Sequence, residues 1–346
     1  PFKTLLGHAL VKDENGRDMH KSWGNAIWFE DAAEKMGVDV MRWMYSLQHV
    51  EQNLLFGYGP ADEVRKKLIT LWNVYSFYAT YAAVDGFDPK SNSLELDKLN
   101  ILDRWIIAKT HVLIKNSVAY MDEFRVDLFM RSFEVFLEEL SNWYVRRNRR
   151  RFWKSEDDQD KNSAYATLYH VLTNMIRIIA PVLPFVSETI YQNLVLNSEP
   201  ESADSVHLCD FPEPDETWID MDLIKNVDSL KKFVELGRSA RSKCKVKIRQ
   251  PLSKVSFAIE DNGVADFFVK NKDIILDELN VKSVERITDS DQLISYKIKP
   301  NLRTLGQKYG KGLSEIRRLL NEGDASEMVS ILQSDGELIL SNNEYI

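Results

Sequence analysis

The sequence predicts a mainly α protein in three parts: a short mixed segment over 1–50, a helix bundle over 51–210 and a small α+β domain over 211–346. Three observations carry this prediction. Apolar residues recur at helical spacing almost without interruption from Ala61 to about Leu196. Turn and loop chemistry precedes that stretch, and β-type runs alternate with short helical ones after it.

In order along the chain, an apolar run over 5–11 reads as a strand, followed by the polar turn Lys12-Asp13-Glu14-Asn15-Gly16 and a second turn at Trp23-Gly24-Asn25. Over 29–45 the spacing becomes helical, with Val40, Met44 and Leu47 on one stripe after a break at Gly37-Val38-Asp39. The bundle helices are expected over 62–84, 102–122, 127–152, 162–179 and 185–196. They are separated by Asp85-Gly86-Phe87-Asp88-Pro89, by the acidic turn Glu156-Asp157-Asp158-Gln159-Asp160 and by a kink between Pro181 and Pro184. Phe129, Phe133, Phe136, Leu137, Leu140 and Tyr144 form a stripe that faces the bundle core. The connector Phe211-Pro212-Glu213-Pro214-Asp215-Glu216 marks a domain boundary, and a helix over 221–244 follows it. Strands are then expected over 253–259, 281–287, 293–298 and 337–340, with helices over 264–279 and 310–320.

Composition bounds the function. The 346 residues are roughly two domains' worth, and 44% hydrophobic with 28% charged residues is a globular balance. The longest apolar run, over 176–186, is broken by Pro181 and Pro184, so no membrane span is expected. Two cysteines, Cys209 and Cys244, form neither a disulfide framework nor a zinc motif, which fits a cytoplasmic protein without zinc. No other metal site is expected. A formal charge of −8 argues against indiscriminate coating of nucleic acid, so any nucleic-acid site must be a local patch. The chain starts at Pro1 with no leader pattern and reads as a fragment of something longer.

Three segments carry candidate chemistry. In Gly16-Arg17-Asp18-Met19-His20-Lys21-Ser22-Trp23-Gly24-Asn25, a lysine, a hydroxyl and glycine-flanked backbone could wrap a polyphosphate. A plain hairpin loop with one exposed lysine is the simpler reading of the same residues. The stretch over 141–154 holds five arginines, a lysine and no acid, with Trp143 and Trp153 interleaved. That mixture suits phosphate tracking and base stacking, or the cation-rich end of a helix. A helical wheel continued past Tyr144 places Arg147 and Arg151 on the apolar stripe, partly buried and paired with carboxylates, and leaves Arg146, Arg149 and Arg150 to reach phosphates. Over 231–254 nine basic residues face the single acid Glu235. If that piece is extended, Lys243, Lys245, Lys247 and Arg249 share one face, either as RNA backbone contacts or as the lysines of a protected edge strand. His8, His49, His111, His170 and His207 form no catalytic or ligand spacing, and Met19, Met36, Met41 and Met44 read as packing.

These motifs carry a resemblance. Met19-His20-Lys21-Ser22, followed by Gly24-Asn25 and Gly37-Val38-Asp39-Val40-Met41-Arg42, resembles the Lys-Met-Ser-Lys-Ser loop of class I aminoacyl-tRNA synthetases, with Asp18 and His20 replacing its first lysine and first serine. Asn142-Trp143-Tyr144-Val145-Arg146-Arg147 and Arg150-Arg151-Phe152-Trp153 look like the anticodon-binding bundle of the isoleucyl members. The run Ile178-Ile179-Ala180-Pro181-Val182-Leu183-Pro184-Phe185 is similar to their Ala-Pro-x-x-Pro-Phe turn, and Ser205-Val206-His207-Leu208 to the element closing the bundle. Lys247-Ile248-Arg249-Gln250-Pro251-Leu252, Leu279-Asn280-Val281-Lys282 and Lys299-Pro300-Asn301 resemble the carboxy-terminal region of isoleucyl enzymes of the eukaryotic-like type.

The resemblance implies that residues 1–50 end a Rossmann-type catalytic domain, that 51–210 is an anticodon-binding bundle and that 211–346 contacts tRNA. It implies ATP, with Mg2+ in the full enzyme, bound by Met19, His20, Lys21 and Ser22, with Lys21 stabilising charge on the pyrophosphate as the adenylate forms. It further implies tRNA(Ile) and isoleucine as partners, with Trp143, Arg146, Arg149, Arg150, Trp153, Lys243, Lys245, Lys247 and Arg249 toward the tRNA. No His-x-Gly-His occurs, so the fragment alone is expected to be inactive. Two other readings stay open: the same region of a valyl or methionyl enzyme, and a non-enzymatic helical RNA-binding or scaffold protein.

Overall fold

The computed structural model describes residues 2–92, 94–154, 158–287, 298–301, 303, 305, 310–336, 338–340 and 344–345. It separates into two compact units, 1–227 and 228–346. The division falls later than the expected boundary at 210, because the acidic connector packs back onto the bundle.

In the first unit, β1 (Val11–Asp13) pairs in parallel with β2 (Leu54–Phe56), Val11 opposite Leu54. A parallel pair needs a crossover, and α1 (Phe29–Met36) and α2 (Val38–Leu47) supply it. They part at Gly37, whose φ of 90° suits glycine. The strand expected over 5–11 starts only at Val11. Leu5 ahead of it is 88% exposed, so those apolar residues have no sheet face to cover among the described residues.

The bundle follows as α3 (Tyr58–Asp85), α4 (Ile101–Asp122), α5 (Val126–Glu139), α6 (Arg146–Lys154), α7 (Asp158–Ile179) and α8 (Pro184–Tyr191). Local chemistry sets the ends. Gly86 closes α3 with φ 65°, Asn100 and Asp103 form a reciprocal capping box on α4, and Pro184 stands in the first turn of α8. A wide π-helical turn, Leu140–Val145, joins α5 to α6 without a break, and a second, Gln192–Leu196, extends α8. Phe129, Phe133, Phe136, Leu137, Leu140 and Tyr144 are all buried, as their spacing requires. Asp158 and Asp160 belong to the first turn of α7 rather than to an acidic turn, in the position where the helix dipole favours carboxylates. Glu156 and Asp157 of that expected turn lie outside the described residues.

Asp103, with no exposed surface, joins four of these segments. Its Oδ1 accepts from Tyr144 Oη at 2.7 Å and from Arg151 Nη1 at 2.7 Å. Its Oδ2 accepts from Arg151 Nη2 at 2.8 Å and from the Asn100 backbone N–H at 3.2 Å. Arg151 also donates from Nε to Asp160 Oδ2 at 2.9 Å, so α4, α6 and α7 share one guanidinium. Burial opposes the charge on Arg151, but the Asp103 carboxylate outweighs it and holds the pKa above its ordinary value. Burial, then the same carboxylate, pushes the Tyr144 hydroxyl up as well.

The connector is tied down by histidines. Asp215 donates its backbone N–H to His111 Nδ1 at 3.1 Å, which leaves the proton of a neutral His111 on Nε2, 3.1 Å from His170 Nε2. Burial, reinforced by His111, lowers the pKa of His170 to about 4. Lys115 pairs with Glu216 on the same connector at 2.7 Å.

The second unit starts within α9 (Met221–Lys243). Two of its strands, β3 (Val255–Phe257) and β4 (Val284–Arg286), are parallel and are linked through α10 (Asn262–Lys270) and α11 (Lys272–Leu279). The single helix expected over 264–279 is thus two, parted at Asn271. Phe233, Phe257 and Phe268 pack ring against ring in the core, and Gly237 lets Leu279 approach where a Cβ would lie 2.7 Å from its methyls. Beyond them, α12 (Leu313–Glu322) and α13 (Ala325–Asp335) close over Ile316, Leu320 and Leu338. A short antiparallel pair follows, β5 (Ile339–Leu340) with β6 (Glu344–Tyr345). Of the strand expected over 293–298, all but Ile298 lies outside the described residues.

Two outcomes test this account. Removing one partner of a buried, hydrogen-bonded ion pair costs about 3–5 kcal/mol, so Asp103→Ala should lower urea-unfolding stability by that amount; a loss under about 1 kcal/mol contradicts the hub. Because the folded-state pKa of His170 is depressed, its contribution is full above about pH 6.5 and is lost as pH falls toward about 4. Unfolding midpoints should therefore fall across that window in the wild type and fall less in His170→Gln, whereas parallel curves contradict the assignment.

Candidate nucleotide loop and RNA-binding surface

The loop after β1 is held by Asp13, which lies outside the motif, and by Asn25, which the motif includes without assigning it a role. Asp13 Oδ1 accepts from the backbone N–H groups of Asn15 at 3.0 Å and Arg17 at 2.8 Å, and Oδ2 accepts from Asn25 Nδ2 at 2.9 Å. The Asn25 amide, then the Arg17 N–H, lowers the Asp13 pKa. Asn25 Nδ2 also donates to the Asp18 carbonyl at 2.9 Å, while its Oδ1 accepts from the His20 N–H at 2.9 Å. Asp18, where the resembled motif has a lysine, pairs with Lys12 at 2.6 Å. The signal in the sequence was the Asp and Asn spacing of two turns, chemistry that favours exactly such side-chain to backbone bonds.

On this staple stands one 3-10 turn, Lys21–Trp23, ended by Gly24 at φ 70°. His20 caps it: Nδ1 lies 2.7 Å from Ser22 Oγ and accepts from the Ser22 N–H. His20 is thus a hydrogen-bonding cap. Met19 is half-buried, and Lys21 is exposed with its Nζ 4.3 Å from the Trp28 ring centroid. The loop presents one cation and a hydroxyl on a preset backbone, an arrangement able to meet a polyphosphate.

The helix that carries the loop's downstream motif is clamped to the bundle. Asp39 Oδ2 accepts from the Val186 N–H at 2.7 Å and Oδ1 from Phe185 at 3.4 Å, capping α8. Burial pushes the Asp39 carboxyl up against the pull of those N–H groups. Arg42 donates to the carbonyls of Val182 at 2.6 Å and Pro181 at 2.8 Å. The Gly37-to-Arg42 motif and the Pro181-to-Phe185 motif are therefore two sides of one joint.

The arginine-rich segment divides. After the π turn the inward line is Tyr144, Asn148 and Phe152, with Asn148 Nδ2 donating to the Tyr144 carbonyl at 2.9 Å. Arg151 is 12% exposed at its side chain and fully engaged with Asp103 and Asp160. Arg147 is half-buried on the flank. Arg146, Arg149 and Arg150 are exposed, Arg146 also donating to the Asn142 carbonyl at 2.7 Å. Trp153 is 50% exposed, 5.8 Å from the Tyr81 ring, and offers a stacking face. Trp143 is a correction: only 9% exposed, it belongs to the bundle interior and presents no ring to a base.

The extended reading of 243–249 is also corrected. The helix α9 runs to Lys243 and ends in a Schellman motif, Lys245 N–H to the Ser242 carbonyl and Val246 N–H to the Arg241 carbonyl, with Lys245 left-handed at φ 56°. A turn from Lys247 to Gln250 follows. Lys243, Lys245, Lys247 and Arg249 are all exposed but do not alternate on one strand face, and the protected-edge reading lapses with the strand. Among the described residues no three His, Cys, Asp or Glu side chains gather as a metal site, and no helix is long and apolar enough to cross a membrane.

Comparison with known families decides what this assembly is. The anticodon-binding domain of tRNA ligase matches residues 103–256, and tRNA synthetases class I (I, L, M and V) match residues 1–56. The chain carries the anticodon-binding domain of a class I tRNA synthetase. It is 39% identical over 340 residues to an isoleucine–tRNA ligase of Clostridium novyi, covering 98% of this chain and 32% of that protein. An isoleucine–tRNA ligase of Thermus thermophilus is 39% identical over 345 residues, with the same 98% and 32% coverage. The chain therefore spans about a third of the length of these relatives. Among solved structures, Agrobacterium radiobacter K84 LeuRS in complex with tRNA and LeuAMS aligns over 62% of this chain and 24% of its own at a TM-score of 0.49 and 15% identity, a likeness too distant to bear on function. The anticodon-binding match includes Asp103, Tyr144 and Arg151, so the buried hub lies inside that domain.

The staple makes a direct prediction. Asn25→Ala should speed amide hydrogen exchange at His20 by about tenfold or more while leaving bundle amides unchanged, since three loop hydrogen bonds are lost, the one to His20 among them, and no core contact. Unchanged exchange at His20 contradicts the role given to Asn25.

Proposed function

We propose that this chain is the tRNA-binding carboxy-terminal portion of a cytoplasmic isoleucine–tRNA ligase, with one half of its ATP site at the front. The observation that carries the reading is the similarity to isoleucine–tRNA ligases, which runs through the tail as well as the loop and the bundle. The tail is the part expected to separate isoleucyl from valyl and methionyl enzymes.

In the proposed reaction the isoleucine carboxylate attacks the α-phosphorus of ATP, pyrophosphate leaves, and the acyl group then passes to a terminal ribose hydroxyl of tRNA(Ile) with release of AMP. Lys21 meets the charge that grows on the departing pyrophosphate, and Ser22 and the loop N–H groups hold its oxygens. Asp13, Asn25 and His20 keep that loop preset, so little reorganisation is needed as charge develops. ATP would be used as its Mg2+ complex. The sequence contains no His-x-Gly-His, so this chain by itself should not aminoacylate.

Arg146, Arg149 and Arg150 reach the tRNA backbone, Trp153 stacks on a base, and Lys243, Lys245, Lys247 and Arg249 add contacts from the second unit. The exposure of these side chains, set against the buried Arg151, supports this division.

In the full-length enzyme, Lys21→Ala should cut isoleucine-dependent pyrophosphate exchange by about 10² to 10³ with tRNA affinity unchanged. Equal losses in both would remove the assigned role. For the chain alone, Arg149→Gln with Arg150→Gln should reduce the slope of log affinity against log salt by about 2, one per phosphate contact. An unchanged slope would take these arginines out of the interface.

A further inference from the structure

We propose that the second unit holds a seat for one phosphate group of an RNA backbone, a pocket at the end of α9 built around Arg241. The proposal rests on the tRNA-binding reading for its ligand and on the pocket's own geometry for the site. The pocket has a volume of about 490 Å³ and is lined by Arg238, Arg241, Ser242, Lys245, Lys247 and Ile248. Four of these are cationic, and its lining contains no carboxylate. The buried Glu278 pairs with Arg238 and lowers the net charge there.

Arg241 is 6% exposed. Its Nη2 donates to the carbonyls of Lys247 at 2.6 Å, of Ile248 at 3.4 Å and of Gln250, which fixes the guanidinium. Its Nε and Nη1 are buried and have no acceptor among the described residues. Arg241 thus sets at the pocket a permanent cation with two unmatched donors, and an oxyanion supplies the countercharge. The carbonyl end of a helix ordinarily repels an anion. Here the Ser242 and Arg241 carbonyls are already occupied by the N–H groups of Lys245 and Val246, and the lining cations outweigh what remains.

Lys245 lines the same pocket. It stands at the left-handed position of the Schellman motif, where glycine is the favoured residue, and there it adds a cationic residue to the lining. The pocket is larger than a single phosphate, which leaves room for the chain of an ester to continue on either side.

Lys245→Gly separates binding from folding, because glycine is the better residue at that φ. The test titrates inorganic phosphate into the full 346-residue chain at constant ionic strength, with chloride as the control, and follows binding by calorimetry. Phosphate should bind, chloride should not compete, and Lys245→Gly should weaken phosphate about tenfold with no loss of melting temperature. In tRNA binding the same variant should lower the salt slope by about 1. No phosphate binding by the wild type overturns the seat, whether or not RNA binds. Phosphate binding with an RNA salt slope unaltered by Lys245→Gly overturns the RNA backbone as occupant. Phosphate binding by a chain that binds no tRNA supports the seat and counts against the tRNA-binding reading instead.

Discussion

A carboxylate deep inside the bundle is costly to bury unless the surrounding segments bring it donors, and Asp103 is such a group. Tyr144, Arg151 and the Asn100 N–H converge on it from the wide π turn, the basic helix and the start of α4. The arrangement constrains more than stability. To deliver Arg151 inward, the helix over 146–154 must turn Arg149 and Arg150 outward, because residues one and two positions away cannot share its face. The exposed basic row is thus a geometric consequence of the buried pair. Asp160 extends the constraint to α7, so the helix that presents the row is locked to α4 and α7 by one guanidinium.

The same economy joins the front of the chain to the bundle. Asp39 caps the N-terminus of α8 while Arg42 takes the carbonyls of Pro181 and Val182, so a single turn of α2 satisfies both ends of the proline corner. The proposed ATP loop reaches that helix through the residues between Gly24 and Phe29 and then through α1. A shift at the corner therefore has a covalent route to Lys21 through α1, and the route lies wholly within the first unit.

Much of this was legible in the sequence because the informative residues sit in regular helices. The stripe from Phe129 to Tyr144 named the core, and continuing the wheel gave Arg151 its carboxylate partners. The wheel also placed Arg147, which is half-buried as expected, whereas Trp143, read as a stacking residue from its place among the arginines, lies inside within the buried π turn. The basic stretch over 243–249 misled for a different reason. Alternating lysines look like a strand face, yet Cys244 and Lys245 close a helix, and no glycine marks the left-handed residue. Asp13 and Asn25 passed as ordinary turn residues, since local spacing does not reveal that one amide bridges two turns. Asp39 and Arg42 were visible as a motif, but their partners lie about 140 positions away and no periodicity connects them.

The claim on which the functional account stands is that this chain reads tRNA through the outward row and the tail. The most direct measurement is the affinity of the chain for unmodified isoleucine, valine and methionine tRNAs across a salt series. The account predicts tighter binding of the isoleucine tRNA at every salt concentration, with all three affinities falling as salt rises. No detectable binding of any of the three, even at low salt, would contradict it.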